Sequence, residues 1–186
     1  MTDAELVRVW HAADGLAPPA RALVRLLILT GCRVGEVAGI RPAELDRAAG
    51  AWTLPPERVK NKRGYTLPLG TLATAELDPL LAHNLPAGST SYLKSRLDEL
   101  SGVTGWRLHD LRRTCRTGLA KLGISRDIAE ACLNHVRDRR GLVGVYDRHD
   151  YRNEIAAALL RWHDHVAGLV TLPPGDNVVR LHSTAA

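Results

Sequence analysis

Apolar residues recur along the chain at two spacings, and the switch between them sketches the fold. Leu6, Val9, Trp10 and Ala13 follow Thr2 and Glu5, which form a Thr-x-x-Glu helix start, so an amphipathic helix is predicted there. The segment DGLAPP interrupts it. A strongly apolar helix is predicted over 20–30, with LVRLLILT at its heart and Gly31 at its end. A short helix is expected over 34–40. Between residues 51 and 69 the character changes: AWTLP and YTLPL have strand composition and flank the basic, polar turn VKNKRG. That pattern suits a small β-hairpin or sheet edge. Helical spacing resumes over 72–82, 91–100, 109–122 and 126–133, and a last helix over 151–169 carries Ile155, Leu159, Trp162 and Val166 on one stripe. The turn-rich residues 170–186 are expected to form a flexible C-terminal tail. The expected architecture is mainly α with a small antiparallel β-sheet, one domain over 1–169 with no repeats and no internal linker.

The 186 residues, 45% hydrophobic and 24% charged, suit one compact core. Phe is absent, so Leu, Val and Ala must build most of that core. A formal charge of +5 favours a polyanionic partner without saying anything about fold. Cys32, Cys115 and Cys132 show no CxxC spacing and read as reduced, buried thiols of a cytoplasmic protein. No apolar run reaches the roughly 18 residues of a membrane span, and the polar start TDAEL is no signal peptide. The helical pattern begins almost at residue 1, so no earlier domain is expected within the chain. Zinc-protease, P-loop, dinucleotide and GxSxG motifs are all missing from the sequence, and the cysteines offer no zinc pattern.

Candidate chemistry lies elsewhere. In LHDLRRT, His109 and Arg112 are three residues apart and share a helix face, with Leu108 and Leu111 as a neighbouring apolar pair. Two cationic donors over an apolar seat suit a phosphate, and suit a plain surface helix equally well. Arg113 and Arg116 add charge nearby. Arg33, in TGCRVGEVAGI, has Glu36 three residues on; the pair is either a solvated helix contact or a carboxylate orienting a guanidinium toward a phosphate. Lys60 sits in the turn between the two strands, crowded by Lys62 and Arg63, as either a solvated tip or a proton donor. His135, in ACLNHV, reads alone as a helix-end residue or as a catalyst. Tyr146 lies before the final helix as core or nucleophile, and Tyr151 competes with it.

In order, Arg33, Lys60, His109-x-x-Arg112, His135 and Tyr146 resemble the catalytic domain of the tyrosine recombinase (phage-type integrase) family, over nearly the whole chain. TGCRVGEVAGI resembles the family's first box, which implies that Arg33 is the first catalytic arginine and Glu36 its supporting acid. VKNKRGYTLPL resembles the hairpin bearing the family lysine, at Lys60. WRLHDLRRT resembles the second box, with His109 and Arg112. LNHV resembles the Leu-Gly-His signature with Asn134 in place of glycine, and VYDRHDY resembles the nucleophile region, favouring Tyr146 over Tyr151.

The resemblance implies strand cleavage through a 3′-phosphotyrosyl link. Lys62, Arg63, Arg113 and Arg116 would contact DNA, and no metal or other cofactor would be required. The implied partner is double-stranded DNA, bound by a homotetramer on paired sites when active. Two rivals use the same residues: relaxation of supercoils by a type IB topoisomerase-like enzyme, and non-catalytic DNA binding by a remnant lacking the family's N-terminal core-binding domain.

Overall fold

The computed structural model describes residues 1–82, 89–135 and 151–171. Its helices, in chain order, are α1 (Asp3–Ala12), α2 (Pro18–Thr30), α3 (Val34–Ala38), α4 (Thr71–Ala75), α5 (Leu77–Leu81), α6 (Ser89–Ser101), α7 (Leu108–Lys121), α8 (Arg126–Cys132) and α9 (Arg152–Thr171). Strands β1 (Leu45–Asp46), β2 (Ala51–Leu54) and β3 (Tyr65–Pro68) lie between α3 and α4. Among the described residues no helix is long and apolar enough to cross a membrane.

Thr2 caps α1 as expected: its hydroxyl accepts the Glu5 N–H at 3.2 Å, while the Glu5 carboxylate accepts the Thr2 N–H at 2.7 Å. Helix α2 starts two residues earlier than predicted because Pro18 and Pro19 occupy its first turn, where a missing N–H costs nothing. From Ala22 to Thr30 this helix is buried at every position but Arg25. That arginine donates to Glu76 at 2.8 Å and Asp14 at 2.6 Å and lies 4.6 Å from the Trp10 ring centre. Its charge is thus matched before it meets the core.

The single helix predicted over 72–82 is two helices, broken at Glu76. Pro79 explains the break: continuing the helix would drive its ring into the Ala75 carbonyl four residues back. Buried Glu76 instead accepts from Arg21 and Arg25 of α2.

The predicted hairpin is the larger part of a three-stranded antiparallel sheet in the order β1-β2-β3. Trp52 faces Leu45 on one side and Leu67 on the other. Strand β1 is only two residues long and joins β2 through a turn closed by the Asp46 carboxylate on the Ala49 N–H, with Gly50 at φ 58°. Trp52, Leu54 and Leu67 point into the core, whereas Thr53 and Thr66 face solvent with their hydroxyls 3.0 Å apart.

Helices α7 and α9 close over α2. Gly118 of α7 lies so near Trp162 of α9 that a Cβ there would come within 2.1 Å of the indole. The Trp162 N–H donates to the Ile28 carbonyl at 2.9 Å, tying α9 to α2. His163 makes a second tie: it accepts the Gly70 N–H at Nδ1 (3.0 Å) and donates from Nε2 to the Leu29 carbonyl (3.1 Å).

Candidate active site

The site is built around the end of α2. Gly31 terminates that helix at φ 61°, a conformation a side chain disfavours, and a Cβ would also strike Leu133 and Cys115. The turn aims the Gly31 carbonyl at Arg112, whose Nη1 donates to it at 2.6 Å while Nη2 donates to the Leu133 carbonyl. Leu111 is in the core and Leu108 packs against it as expected, and Arg112 is seated in addition on two backbone oxygens and is only 4% exposed. A guanidinium has five N–H groups, so three remain after these two bonds. Burial, and then the charge of Arg33, pull Arg112 below the ordinary arginine value.

Arg33 immediately precedes α3. Glu36, buried at its side, accepts the Arg33 backbone N–H at 2.8 Å and its Nη1 at 2.7 Å. One carboxylate thus caps the helix and orients the guanidinium. The sequence did not reveal what supports Glu36. Arg58 donates to the Glu36 carbonyl at 2.7 Å and also pairs with Glu44, which accepts the Trp52 indole N–H at 3.0 Å. The base of the sheet is thereby bolted to the helix that holds Arg33. A pattern marks the starts of α3, α7 and the short 3-10 turn Pro42–Glu44: Arg33-x-x-Glu36, Arg107-x-x-Asp110 and Arg41-x-x-Glu44 each return a carboxylate to the backbone N–H of the arginine.

His109 stands in the first turn of α7, exposed, and its imidazole makes no hydrogen bond with any other described residue. Partial burial, with Arg112, Arg113 and Arg33 adding like charge, lowers its pKa below 6.5, so the ring is neutral at pH 7 and able to accept a proton. Arg112 follows His109 by one turn of α7 and is bonded to the carbonyl of Gly31, two residues before Arg33, so the three stand on adjoining segments. Lys60 is exposed and without a hydrogen-bond partner among the described residues; with Arg33, Glu36 and Lys62 it lines one open depression.

His135 follows α8. Its Nδ1 donates to Glu130, which also accepts Arg116 Nε at 2.7 Å. These two bonds hold the Glu130 carboxyl below its ordinary range. Glu130, missed from the sequence, holds the imidazole by Nδ1 and leaves Nε2 without a bond to any other described residue. Asn134, where glycine was expected, has φ 48°; asparagine is one of the few residues that tolerate this region.

The charged flank divides. Lys62 and Arg63 are exposed on the hairpin loop, Arg113 is exposed and paired with Asp110 at 3.0 Å, and Arg116 is taken up by Glu130. Tyr146 lies outside the described residues. Of the other tyrosines, Tyr65 is half-buried, with its hydroxyl committed to the Cys132 carbonyl and its pKa raised by the burial of that hydroxyl. Tyr92 is 74% exposed on α6, and Tyr151 stands at the foot of α9 at φ 55°, packed against the core. Cys32, Cys115 and Cys132 are free and buried, as expected, and burial pushes the Cys32 and Cys132 thiols up to about 12.

Prophage integrase IntA of Escherichia coli (strain K12) is 30% identical to this chain over 177 residues, covering 87% of the chain and 41% of that protein. The two proteins are distant kin. The chain therefore spans less than half the length of this relative. No family profile matches the chain. No solved structure matches it either.

Proposed function

We propose that this chain carries a tyrosine recombinase catalytic domain that cuts and rejoins DNA strands through a 3′-phosphotyrosyl link. The observation that carries the reading is that Arg112, one helical turn after His109, is bonded to the carbonyl of Gly31 two residues before Arg33, with Lys60 on a loop lining the same depression as Arg33. Kinship to an integrase supports it.

The Tyr146 hydroxyl attacks the phosphorus. Its oxygen forms the new P–O bond, the bond to the 5′-oxygen breaks, and the phosphate stays on the 3′ end of the cut strand. Arg33 and Arg112 bind the nonbridging oxygens and stabilise the added charge of the pentavalent transition state. A tyrosine titrates near 10 unaided, and His109, neutral at pH 7, takes its proton. Lys60 gives a proton to the departing 5′-oxygen, and His135, oriented by Glu130, donates to the phosphate. No metal is required in this scheme, because the tyrosyl ester conserves the energy of the broken bond. Tyr65 is a poor rival nucleophile, since its hydroxyl already serves the Cys132 carbonyl.

Covalent trapping tests the reading. Wild type, Tyr146→Phe and Tyr151→Phe are incubated with end-labelled nicked duplexes of varied sequence, which lose a short 5′-hydroxyl fragment on cleavage. The expected result is a denaturation-resistant protein–DNA adduct absent only from Tyr146→Phe. Retention of DNA binding without any adduct would overturn strand cleavage in favour of a non-catalytic DNA-binding role. Joining to a second site separates recombination, with its assembly on paired sites, from simple relaxation of supercoils.

A further inference from the structure

Two asparagines tie the Lys60 loop to the turn that carries His135. The Asn61 side-chain amide donates to the Asn134 carbonyl at 2.9 Å and to the Asn134 Oδ1 at 3.0 Å. The Asn134 amide returns a bond to the Arg63 carbonyl at 3.4 Å, and the Arg63 N–H donates to Asn61 Oδ1 at 3.1 Å. Both side chains are fixed in orientation by this set. A backbone carbonyl can only accept and a backbone N–H can only donate, so neither amide can be turned round without losing a bond. On the other side of the turn, the Asn134 N–H is bound to the Ala131 carbonyl and the His135 N–H to the Glu130 carbonyl. The asparagine side chain is thus left for the hairpin alone.

We infer that Asn61 and Asn134 form a clamp that positions Lys60, holding the backbone of its loop while the lysine side chain stays unbound. Resting on the strand-cleavage reading, the clamp sets where the proton donor stands relative to His135. The clamp joins two segments that each contain a residue in the left-handed region: Lys62 at φ 54° and Asn134 at φ 48°. A glycine at 134 would adopt that backbone shape at least as easily, but it could neither accept from Asn61 nor donate to Arg63. The choice of asparagine adds a contact that the turn itself does not require. Neither residue touches the reacting atoms in this scheme; both act through the lysine.

The test uses Asn61→Ala and Asn134→Gly in two assays. In the DNA-free protein, trypsin cleavage after Lys60, Lys62 and Arg63 is timed against cleavage elsewhere in the chain. Loss of the clamp is expected to speed cleavage in the loop about tenfold in both variants. Unchanged loop protection in folded variants overturns the clamp, whatever the protein does to DNA. In single-turnover cleavage of a nicked duplex, both variants should be about tenfold slower with the natural 5′-oxygen. They should match wild type when a 5′-bridging sulfur replaces that oxygen, because a thiolate leaves without a donated proton. Equal slowing on both substrates overturns positioning of the lysine. An inactive wild type would count against the cleavage reading, and the trypsin assay would still decide the clamp.

Discussion

Arg112 and Lys60 sit in the same candidate site and are held in opposite ways. Arg112 is buried and bonded to two backbone carbonyls, from Gly31 and Leu133, that close two different helices. Lys60 is exposed, and only the backbone of its loop is anchored. In the proposed scheme the difference separates two tasks. A group that must bind a phosphate in fixed geometry gains from being set before the substrate arrives. A group that must follow a leaving oxygen needs reach, and its anchorage belongs one residue away.

The sharpest break of this comparison is Arg112→Ala. It should lower adduct formation about 10³-fold and also destabilise the fold by about 2–5 kcal/mol, because the Gly31 and Leu133 carbonyls lose their donors. Lys60→Ala should lower cleavage about 10²-fold with a denaturation midpoint unchanged to within about 0.5 kcal/mol. Equal stability losses in the two variants would erase the distinction.

Acid should loosen the rigid half. His163 is neutral in the fold, since its Nδ1 must accept the Gly70 N–H, and burial lowers its pKa to about 4. In the unfolded chain it titrates near 6.5. The unfolded state therefore binds the proton first, and stability present above pH 6.5 is lost as pH falls toward 4, by roughly 3 kcal/mol. Urea titrations at several pH values should show that slope in wild type and lose it in His163→Gln. Packing is a smaller lever: Gly118→Ala should cost about 1–3 kcal/mol, because the new methyl group meets the Trp162 ring. The smallest effect concerns the exposed half, where an NMR titration should find the His109 ring changing charge below pH 6.5.

The helical register was readable wherever one face alternates cleanly with the other, as in α1 and α9. Arg33 with Glu36, and His109 with Arg112, were readable because helical spacing brings each pair together within one turn. Their unequal burial was not: it depends on carbonyls of Gly31 and Leu133, which lie 81 and 21 residues from Arg112 along the chain. The same holds for the Asn61–Asn134 contact, across 73 residues, and the Gly70–His163 contact, across 93. No periodicity signals a polar pairing of that kind. The split at Glu76 was available in principle, since Pro79 names the carbonyl it would strike.

Gly31 ends a core helix and offers its own carbonyl to Arg112, so one peptide unit serves the core and, in the proposed scheme, the chemistry. A variant library scored once for folding and once for activity would normally divide its intolerant positions between the two screens. At Gly31 the division fails, because any side chain strains the turn, strikes Leu133 and Cys115, and shifts the oxygen beneath the arginine. In the proposed scheme, a change in the core is also a change in the chemistry at this position.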